Sequence, residues 1–176
     1  GSETAVIEMA KRFAASGWRV TVYGDMDVEE EGFYDGVLYI RHEKTAVAAM
    51  LGAEFDVLVA WRDASLLRAV PAKQRVLWVH DVWASNGSHD NLLRADAVLG
   101  LSKWHCELLR QHHALPAEQV VQTRNGIDVS RFEQQVERDP TKAVYSSSPD
   151  RGLWSLLQMW PRIRERVPTA TLHVFY

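Results

Sequence analysis

The sequence is poor in cysteine, in excess positive charge and in long apolar segments, and each shortage excludes a class of protein. A single cysteine, Cys106, cannot form an internal disulfide and suits a reducing compartment. The formal net charge of -3 offers no basic face to a nucleic-acid partner. No apolar run reaches the length that a bilayer requires, and no signal-peptide pattern opens the chain. We therefore expect a cytoplasmic protein that binds no nucleic acid.

The sequence also lacks both common glycine-rich phosphate-binding motifs. Neither G-x-G-x-x-G after a strand nor G-x-x-x-x-G-K-[ST] occurs in its 176 residues. Standard dinucleotide and P-loop sites are therefore not supported, which weakens the hypothesis of a dehydrogenase. The seven histidines invite a metal hypothesis, but His105, His112 and His113 lie in one predicted helix without a carboxylate or cysteine partner at ligand spacing. We predict a solvated helix face there and no metal.

What the sequence does contain is a regular alternation of predicted strands and helices. Its 47% hydrophobic and 24% charged content is typical of a globular protein. The segments FDVLVAW and RVLWVHD are nearly continuous apolar runs, as in parallel strands that are covered on both faces. We predict an α/β fold with a Rossmann-like, doubly wound parallel sheet in residues 1–132. The expected strands lie near Val20, Leu58, Leu77, Val98 and Val121.

The helices are predicted from apolar spacing and from end signals. The segment ETAVIEMAKRFAAS has helical spacing, and Gly17 follows it as a stop. TAVAAMLGA, at residues 45–53, is a second predicted helix. KWHCELLRQHH is predicted to be a helix with Ser102 as its N-cap and with Trp104, Leu108 and Gln111 on one face. The acidic segment DMDVEEEG is interpreted as a solvated surface turn.

The character of the chain changes after Phe132. Residues 133–141 are polar and contain a proline, as in a linker. Residues 142–176 then form one predicted βαβ unit, with strands in KAVYSSS and ATLHVFY. Because such a unit is too small to bury its own core, we interpret it as the incomplete beginning of a second domain. We expect its strand edges to pair with further chain, a second copy or the first domain.

Two segments are candidates for a ligand site. His80 and Asp81 follow a predicted strand, and open α/β sheets bind ligands outside the carboxyl ends of their strands. A neutral His80 can hydrogen-bond a hydroxyl or phosphate oxygen, and a charged one can pair with phosphate; a structural histidine is an equally weighted alternative. In SSSPDRGL, hydroxyls, a helix N-terminus and Arg151 could hold an anion, or simply form a capped helix with a solvated arginine. Among the tryptophans, Trp83 is the best placed to reach a ligand.

Several segments together resemble one enzyme family. They are GSETAVIEMAKRFAASGWRVTVYGD, VLWVHDVW, ADAVLGLSKWHCELL, TRNGIDVSRF and KAVYSSSPDRGLWSLLQMWPRIRERVPTATLHVFY. In this order they resemble the GT-B glycosyltransferases, most closely the retaining, family 4-like branch. The N-G-I-D-x-x-R-F element, followed by a strand and P-D-R-G-L, is the most specific part of the resemblance.

The resemblance implies two Rossmann-like domains with the active site in the cleft between them. Such an enzyme transfers a sugar from a nucleotide-diphosphate sugar to an acceptor hydroxyl with retention, and it requires no metal or other cofactor. The acceptor is a glycan, a lipid-linked molecule or a protein, and peripheral membrane association is compatible with the family. The first domain chiefly holds the acceptor, and the second holds the nucleotide sugar.

The resemblance also assigns residues to this cleft. His80 matches the catalytic histidine that faces the donor sugar, with Asp81 and Trp83 beside it in the cleft. Gly1 matches the glycine loop that approaches the donor diphosphate. Arg151 takes the place of a basic residue, usually lysine, that grips the diphosphate. Two further sets complete the assignment: Ser146, where many relatives have a second arginine, and the hinge residues Asn125 and Gly126.

The resemblance further implies a first strand before Gly1 and nucleotide-holding carboxylates after Tyr176. We therefore expect the 176 residues to be inactive alone and expect self-association through the incomplete second unit. The alternative hypothesis is a non-catalytic module that keeps the fold to bind a sugar, a nucleotide or a protein partner.

Overall fold

The computed structural model describes residues 2–44, 52 and 54–175. Gly1 and nearly all of the predicted helix at residues 45–53 lie outside this range. The chain divides into two compact units, Gly1–Ile127 and Asp128–Tyr176. This division falls slightly before the predicted domain end at Phe132. Each unit is described by itself.

The first unit begins with a helix and a small three-stranded sheet. Gly17, with a φ of 92°, follows the helix in the left-handed region and confirms the predicted stop. In the sheet order β1-β3-β2, β1 and β3 are parallel, and β2 and β3 are antiparallel. The elements are α1 (Ser2–Ala15), β1 (Val20–Gly24), the 3-10 turn Val28–Glu30, β2 (Gly32–Tyr34) and β3 (Val37–Arg41).

The prediction of one parallel sheet that includes the Val20 strand is wrong. Val20 belongs to the small mixed sheet. The four strands between Phe55 and Gln122 form a separate sheet. The antiparallel pairing within the small sheet follows from the turn between β2 and β3. Asp35 and Gly36 both have positive φ, 51° and 80°, which gives the backbone twist of a tight antiparallel hairpin. The Asp-Gly pair in the sequence is a recognised signal for such a hairpin.

The second sheet of this unit is entirely parallel, with the strand order β4-β5-β6-β7. Helical segments connect its strands, so the described fold is mixed α/β. This confirms the predicted strands near Leu58, Leu77, Val98 and Val121. The strands are β4 (Phe55–Trp61), β5 (Ala72–Trp78), β6 (Ala97–Gly100) and β7 (Val120–Gln122), and the helices are α2 (Leu66–Ala69), α3 (His89–Leu92) and α4 (Lys103–His113).

The main hydrophobic core lies between this parallel sheet and its three helices. Ala60, Leu77 and Val98 are register partners on neighbouring strands and share one face of the sheet. One leucine from each helix packs against this row, and all of them are almost fully buried: Leu67, Leu92 and Leu109. Trp61 and Trp78, the next register pair, must point to the opposite face because side chains alternate along a strand.

Helix α4 has the predicted bounds. Ser102 caps it as predicted, since its hydroxyl accepts a hydrogen bond from the backbone N–H of His105 at 3.1 Å. On the face that Trp104 shares with Leu108 and Gln111, Trp104 is 66% exposed. His105 and Leu109, four residues apart, are buried instead. The prediction of a solvated His105 is therefore wrong.

The second unit contains the predicted βαβ arrangement. Its two strands are parallel neighbours, and α5 contains no fully buried residue. Within the described part of this unit, Ala170 is the one buried hydrophobic side chain, while Val144, Trp154 and Met159 are largely exposed. The small core agrees with the size argument made from the sequence. The elements are the 3-10 turn Val129–Phe132, β8 (Lys142–Tyr145), α5 (Leu153–Arg166) and β9 (Thr171–Val174).

Candidate functional site

The carboxyl ends of β4 and β5 bring polar side chains to one edge of the parallel sheet. Trp61 and Trp78 close the two strands as register partners. Arg62 follows the first tryptophan directly, and His80 and Asp81 follow the second by two and three residues. Parallel strands present their carboxyl ends at the same edge, so two distant segments of the chain meet here. We call Arg62, His80 and Asp81 the edge cluster.

His80 is held in an aromatic environment. Its ring centroid lies 4.5 Å from that of Trp78 and 6.1 Å from that of Trp61, both in edge-to-face geometry. Its Nε2 is buried and has no hydrogen-bond partner among the described residues. Burial lowers the pKa of His80 below the usual value, the positive charge of Arg62 lowers it further, and Asp81 and Glu3 partly oppose this. The imidazole is therefore neutral at neutral pH, which suits a hydroxyl partner better than charge pairing with phosphate.

Arg62 is the functional candidate that the sequence reasoning missed. Its Nε donates to Asp81 Oδ2 at 2.5 Å, and a second nitrogen lies 3.8 Å from Glu3. The guanidinium carbon stands 5.1 Å from the ring centroid of Trp61. Arg62 thus contacts both the acidic member of the edge cluster and its aromatic wall. The sequence does contain a pattern that could have identified Arg62: W-R-D at the end of β4 is similar to W-V-H-D at the end of β5.

The backbone of Arg62 is strained and pinned. Its φ of 67° is unusual for a residue other than glycine. Its N–H donates to the carbonyl of Trp78 at 3.0 Å, and its carbonyl accepts from the N–H of Ser85 at 2.8 Å. These bonds hold the end of β4 between β5 and the following loop. Left-handed backbone at such a position costs on the order of 1 kcal/mol and often accompanies a functional constraint.

Asp63, the next residue, also fixes the loop after β5, because it is hydrogen-bonded to Asn86. Its Oδ1 accepts hydrogen bonds from the N–H and the hydroxyl of Ser65 and from the side-chain amide of Asn86, all at 2.8 to 2.9 Å. Burial alone would raise the pKa of Asp63, but these bonds lower it below the usual value. The carboxylate therefore stays ionised and fixes the segment beside the edge cluster.

His105 approaches the edge cluster from the first turn of α4. It is 6% exposed, and its Nδ1 accepts a hydrogen bond from the N–H of Leu101 at 3.2 Å. Burial lowers its pKa, while the nearby backbone of Val82 and Asp81 acts in the opposite direction, and its Nε2 has no hydrogen-bond partner among the described residues. The imidazole therefore lies against the turn that follows His80.

Trp83 is not brought to the edge cluster. Its ring centroid lies 4.3 Å from that of His112 and 6.4 Å from that of His113. These histidines are in the last turn of α4, about 10 Å along the helix from His105 at 1.5 Å per residue. Trp83 therefore packs along α4, and His89 Nδ1, which lies 2.7 Å from the carbonyl of His113, closes the same region. The predicted role of Trp83 in a cleft stays a prediction.

The second candidate segment lies in the second unit, between β8 and α5. The hydroxyl of Tyr145 and the N–H of Arg151 both donate to the carbonyl of Ser148, at 2.8 and 3.0 Å. The N-cap of α5 is Gly152, with a φ of 99° and thus no capping side chain. Ser146 and Arg151 are exposed beside this helix N-terminus. The positive end of a helix dipole and an arginine together can attract an anion.

Three further residues were predicted to belong to the site, namely Asn125, Gly126 and Gly1. Asn125 and Gly126 are exposed in an irregular segment directly before the division between the two units. Gly1 lies outside the described residues. Over residues 2–44, 52 and 54–175, no cluster of histidine, cysteine and acidic side chains could hold a metal ion. No helix in the same part of the chain is long and apolar enough to cross a membrane.

The edge cluster thus combines a neutral histidine with an ion pair at the carboxyl edge of a parallel sheet, and two tryptophans lie beside the histidine. Such a group can orient a polar ligand through hydrogen bonds, while burial and the charge of Arg62 lower the pKa of the imidazole. In comparisons with known proteins, no protein-family model and no curated protein matches the chain.

Proposed function

We propose that the chain belongs to a retaining GT-B glycosyltransferase, which transfers a sugar from a nucleotide-diphosphate sugar to an acceptor hydroxyl. The observation that carries this proposal is the neutral His80 at the carboxyl end of β5, walled by Trp61 and Trp78. A neutral imidazole at the ligand edge of a parallel sheet can hydrogen-bond a sugar hydroxyl. The sequence resemblance assigns the same contact to the same residue.

The proposed division of labour follows from charge. His80 orients the sugar, and the Arg62–Asp81 ion pair holds the turn that carries it. The leaving diphosphate is an anion, and Arg151 beside the uncapped N-terminus of α5 provides the matching positive potential. During transfer the bond from the sugar to the diphosphate breaks, a bond from the sugar to the acceptor oxygen forms, and the acceptor hydroxyl's proton passes to the leaving diphosphate. Positioning and charge stabilisation supply the rate enhancement without a metal.

The test is a donor screen with the protein as its gene encodes it. Release of nucleoside diphosphate is measured with a panel of nucleotide-diphosphate sugars and glycan acceptors. His80→Ala should lower kcat about 100-fold, the usual effect of losing one oriented hydrogen-bonding group in an active site. His42→Ala is the matched control, because His42 lies in the turn after β3, in the other sheet.

A second pair of variants separates donor binding from chemistry. Arg151→Ala should weaken donor binding by about 1.5 to 3 kcal/mol, the scale of a charge-assisted hydrogen bond, with a smaller effect on kcat. Arg166→Ala, at the opposite end of α5, is the control. Transfer that is equally fast in His80→Ala and His42→Ala would refute the role of His80. Sugar or nucleotide binding without transfer from any donor would favour a non-catalytic module instead.

A further inference from the structure

The last turn of α4 belongs to a group of rings that lies outside the edge cluster. The ring of His112 lies 4.3 Å from that of Trp83 and 4.7 Å from that of His113, between centroids. Nδ1 of His89, the first residue of α3, lies 2.7 Å from the carbonyl of His113. We call Trp83, His89, His112 and His113 the Trp83 cluster. It joins the loop after β5 to the start of α3 and the end of α4.

His113 is the member of this cluster that is poorly suited to carry a charge. Its Nε2 is buried and has no hydrogen-bond partner in the part of the chain that the structure describes. A protonated imidazole has an N–H on both ring nitrogens, so a charged His113 would hold a buried N–H at Nε2 without an acceptor. Burial of a charge is costly unless the charge is paired and hydrogen-bonded. The closed arrangement, in which the rings are in contact, therefore favours a neutral His113.

The ionisable groups around His113 increase this preference. Over the described residues, the charges that act on it come from His112 on α4 and His89 on α3, and both are positive when protonated. Burial, followed by these two groups, holds the pKa of His113 below the usual histidine value. Residues 82–88 of the loop contain no ionisable side chain. The remaining charged side chains of α3 and of α4 from Glu107 onward are Asp90 and the Glu107–Arg110 ion pair.

The other two histidines can be charged without breaking their contacts. A carbonyl oxygen only accepts, so His89 Nδ1 carries a hydrogen toward the carbonyl of His113, and a charged His89 keeps this bond. His112 is exposed, so water solvates its charge, and a cation over the ring of Trp83 is attractive. The acid sensitivity of the Trp83 cluster is therefore concentrated in His113.

The loop that carries Trp83 also fixes part of the edge cluster. Ser85, two residues further along the loop, donates its N–H to the carbonyl of Arg62 at 2.8 Å. Its own carbonyl accepts from the N–H of Ala64 at 2.9 Å. These bonds fix the end of β4, where Arg62 has its left-handed backbone. Because they lie so close to Trp83 in the chain, movement of the loop away from α4 acts directly on them.

We propose that the Trp83 cluster is an acid-sensitive switch, in which protonation of His113 separates the loop at residues 82–88 from α4 and thereby releases Arg62. This inference does not rest on the proposed function, because it concerns the loop alone. In the open form, water reaches the imidazole, and the pKa of His113 returns to about 6.5. The stability of the closed form is therefore complete above that value and is lost as pH falls below it. If the closed form stays neutral, the ratio of open to closed molecules rises about 25-fold between pH 7 and pH 5.

Hydrogen exchange of single amides tests this in the wild-type chain without any substrate. The amide of Ser85 reports on the loop, and the amide of Leu77, in the buried part of β5, is the reference. Because exchange itself depends on pH, each rate is divided into that of an unstructured peptide at the same pH, which gives a protection factor. From pH 7 to pH 5, protection of Ser85 should fall by about 10- to 25-fold, and protection of Leu77 should stay constant.

Two phenylalanine substitutions identify the ring that is responsible. His113→Phe keeps an aromatic ring but cannot take up a proton, so protection of Ser85 should no longer depend on pH. His112→Phe is the matched control, because this ring also contacts Trp83 but is exposed. Its pH dependence should equal that of the wild type. NMR titration of His113 in the wild-type chain adds a test that needs no variant, since its midpoint should coincide with the loss of protection at Ser85.

The results that would overturn the switch are equally specific. Constant protection of Ser85 in the wild type would show that the loop does not open. Equal losses at Ser85 and Leu77 would indicate acid unfolding of the whole sheet. A pH dependence that persists in His113→Phe, or that disappears in His112→Phe, would assign the effect to another group. A His113 titration with a different midpoint from the loss at Ser85 would also contradict the proposal.

Discussion

Arg62 offers the sharpest test of the edge cluster, because three of its properties can be removed separately. Its charge acts on His80, its side chain contacts Asp81 and Trp61, and its backbone has a left-handed φ. Arg62→Lys keeps the charge, Arg62→Ala removes the charge and the contacts, and Arg62→Gly also relieves the backbone. Comparison of the three variants assigns an effect to each property.

The expected magnitudes follow from the exposure of the partners. The side chains of Arg62 and Asp81 are 37% and 49% exposed, so the ion pair contributes about 0.2 to 1 kcal/mol. The contact with Trp61 adds about 0.5 to 1 kcal/mol. Arg62→Ala should therefore destabilise the fold by about 1 to 2 kcal/mol. Relief of left-handed backbone is worth about 1 to 2 kcal/mol, and the extra flexibility of glycine costs about 0.5 to 1 kcal/mol. Arg62→Gly should thus be about 0.5 to 1 kcal/mol more stable than Arg62→Ala.

The effect of the Arg62 charge can be measured separately, through the pKa of His80. Because the positive charge of Arg62 lowers the pKa of His80, that pKa should rise in Arg62→Ala and Arg62→Gly and stay low in Arg62→Lys. Urea denaturation gives the free energies of unfolding, and NMR titration gives the pKa of His80. An unchanged titration in Arg62→Ala would show that the guanidinium does not face the imidazole. Equal stability of the alanine and glycine variants would refute the strained backbone.

Two further predictions concern the frame around the site. Gly36→Ala should destabilise the fold by about 1 kcal/mol, because φ is 80° and the new Cβ would lie 3.2 Å from the Cβ of Ala14. Gly126→Ala is the control and should be neutral in the same urea denaturation, because Gly126 has open space around it. Equal effects of the two substitutions would refute the hairpin turn. The lowered pKa of Asp63 contributes stability that is complete above the unfolded value of about 3.9 and is lost as pH falls through the lower folded value. In Asp63→Asn the free energy of unfolding should depend less on pH over that acidic range. An unaltered pH dependence in this variant would contradict the hydrogen bonds assigned to Asp63.

Local signals in the sequence were enough to predict the parallel sheet and its longest helix. FDVLVAW matches β4 residue for residue, because its β-branched and aromatic residues favour a strand. The predicted burial on both faces is wrong for this strand, since Val59 is 45% exposed. Ser102 and the following residues gave the bounds of α4, because capping depends only on nearby backbone groups. RVLWVHD was less informative, since β5 begins earlier, at Ala72, and ends at Trp78. His80 and Asp81 consequently lie beyond the strand.

Orientation about an axis and long-range contacts were not predictable in this way. Trp104, Leu108 and Leu109 fit two different apolar stripes on α4, and only the packing of Leu109 in the core selects the one that buries His105. Trp83 is close to His80 in sequence, yet its ring contacts His112 at the far end of α4. Both outcomes depend on where α4 lies over the sheet, which no local pattern contains.

The two candidate segments differ in how they are held, and this difference bears on what each contributes. The edge cluster is fixed by contacts between the ends of two separate strands, β4 and β5, with the rings of Trp61 and Trp78 behind it. The segment around Arg151 is fixed by short-range bonds to Ser148 and stays exposed. A group that must be correctly oriented in a transition state gains from the first kind of support. A cation that attracts an anion needs only proximity and charge. We therefore propose that His80 serves to orient the ligand and that Arg151 serves to bind the anion.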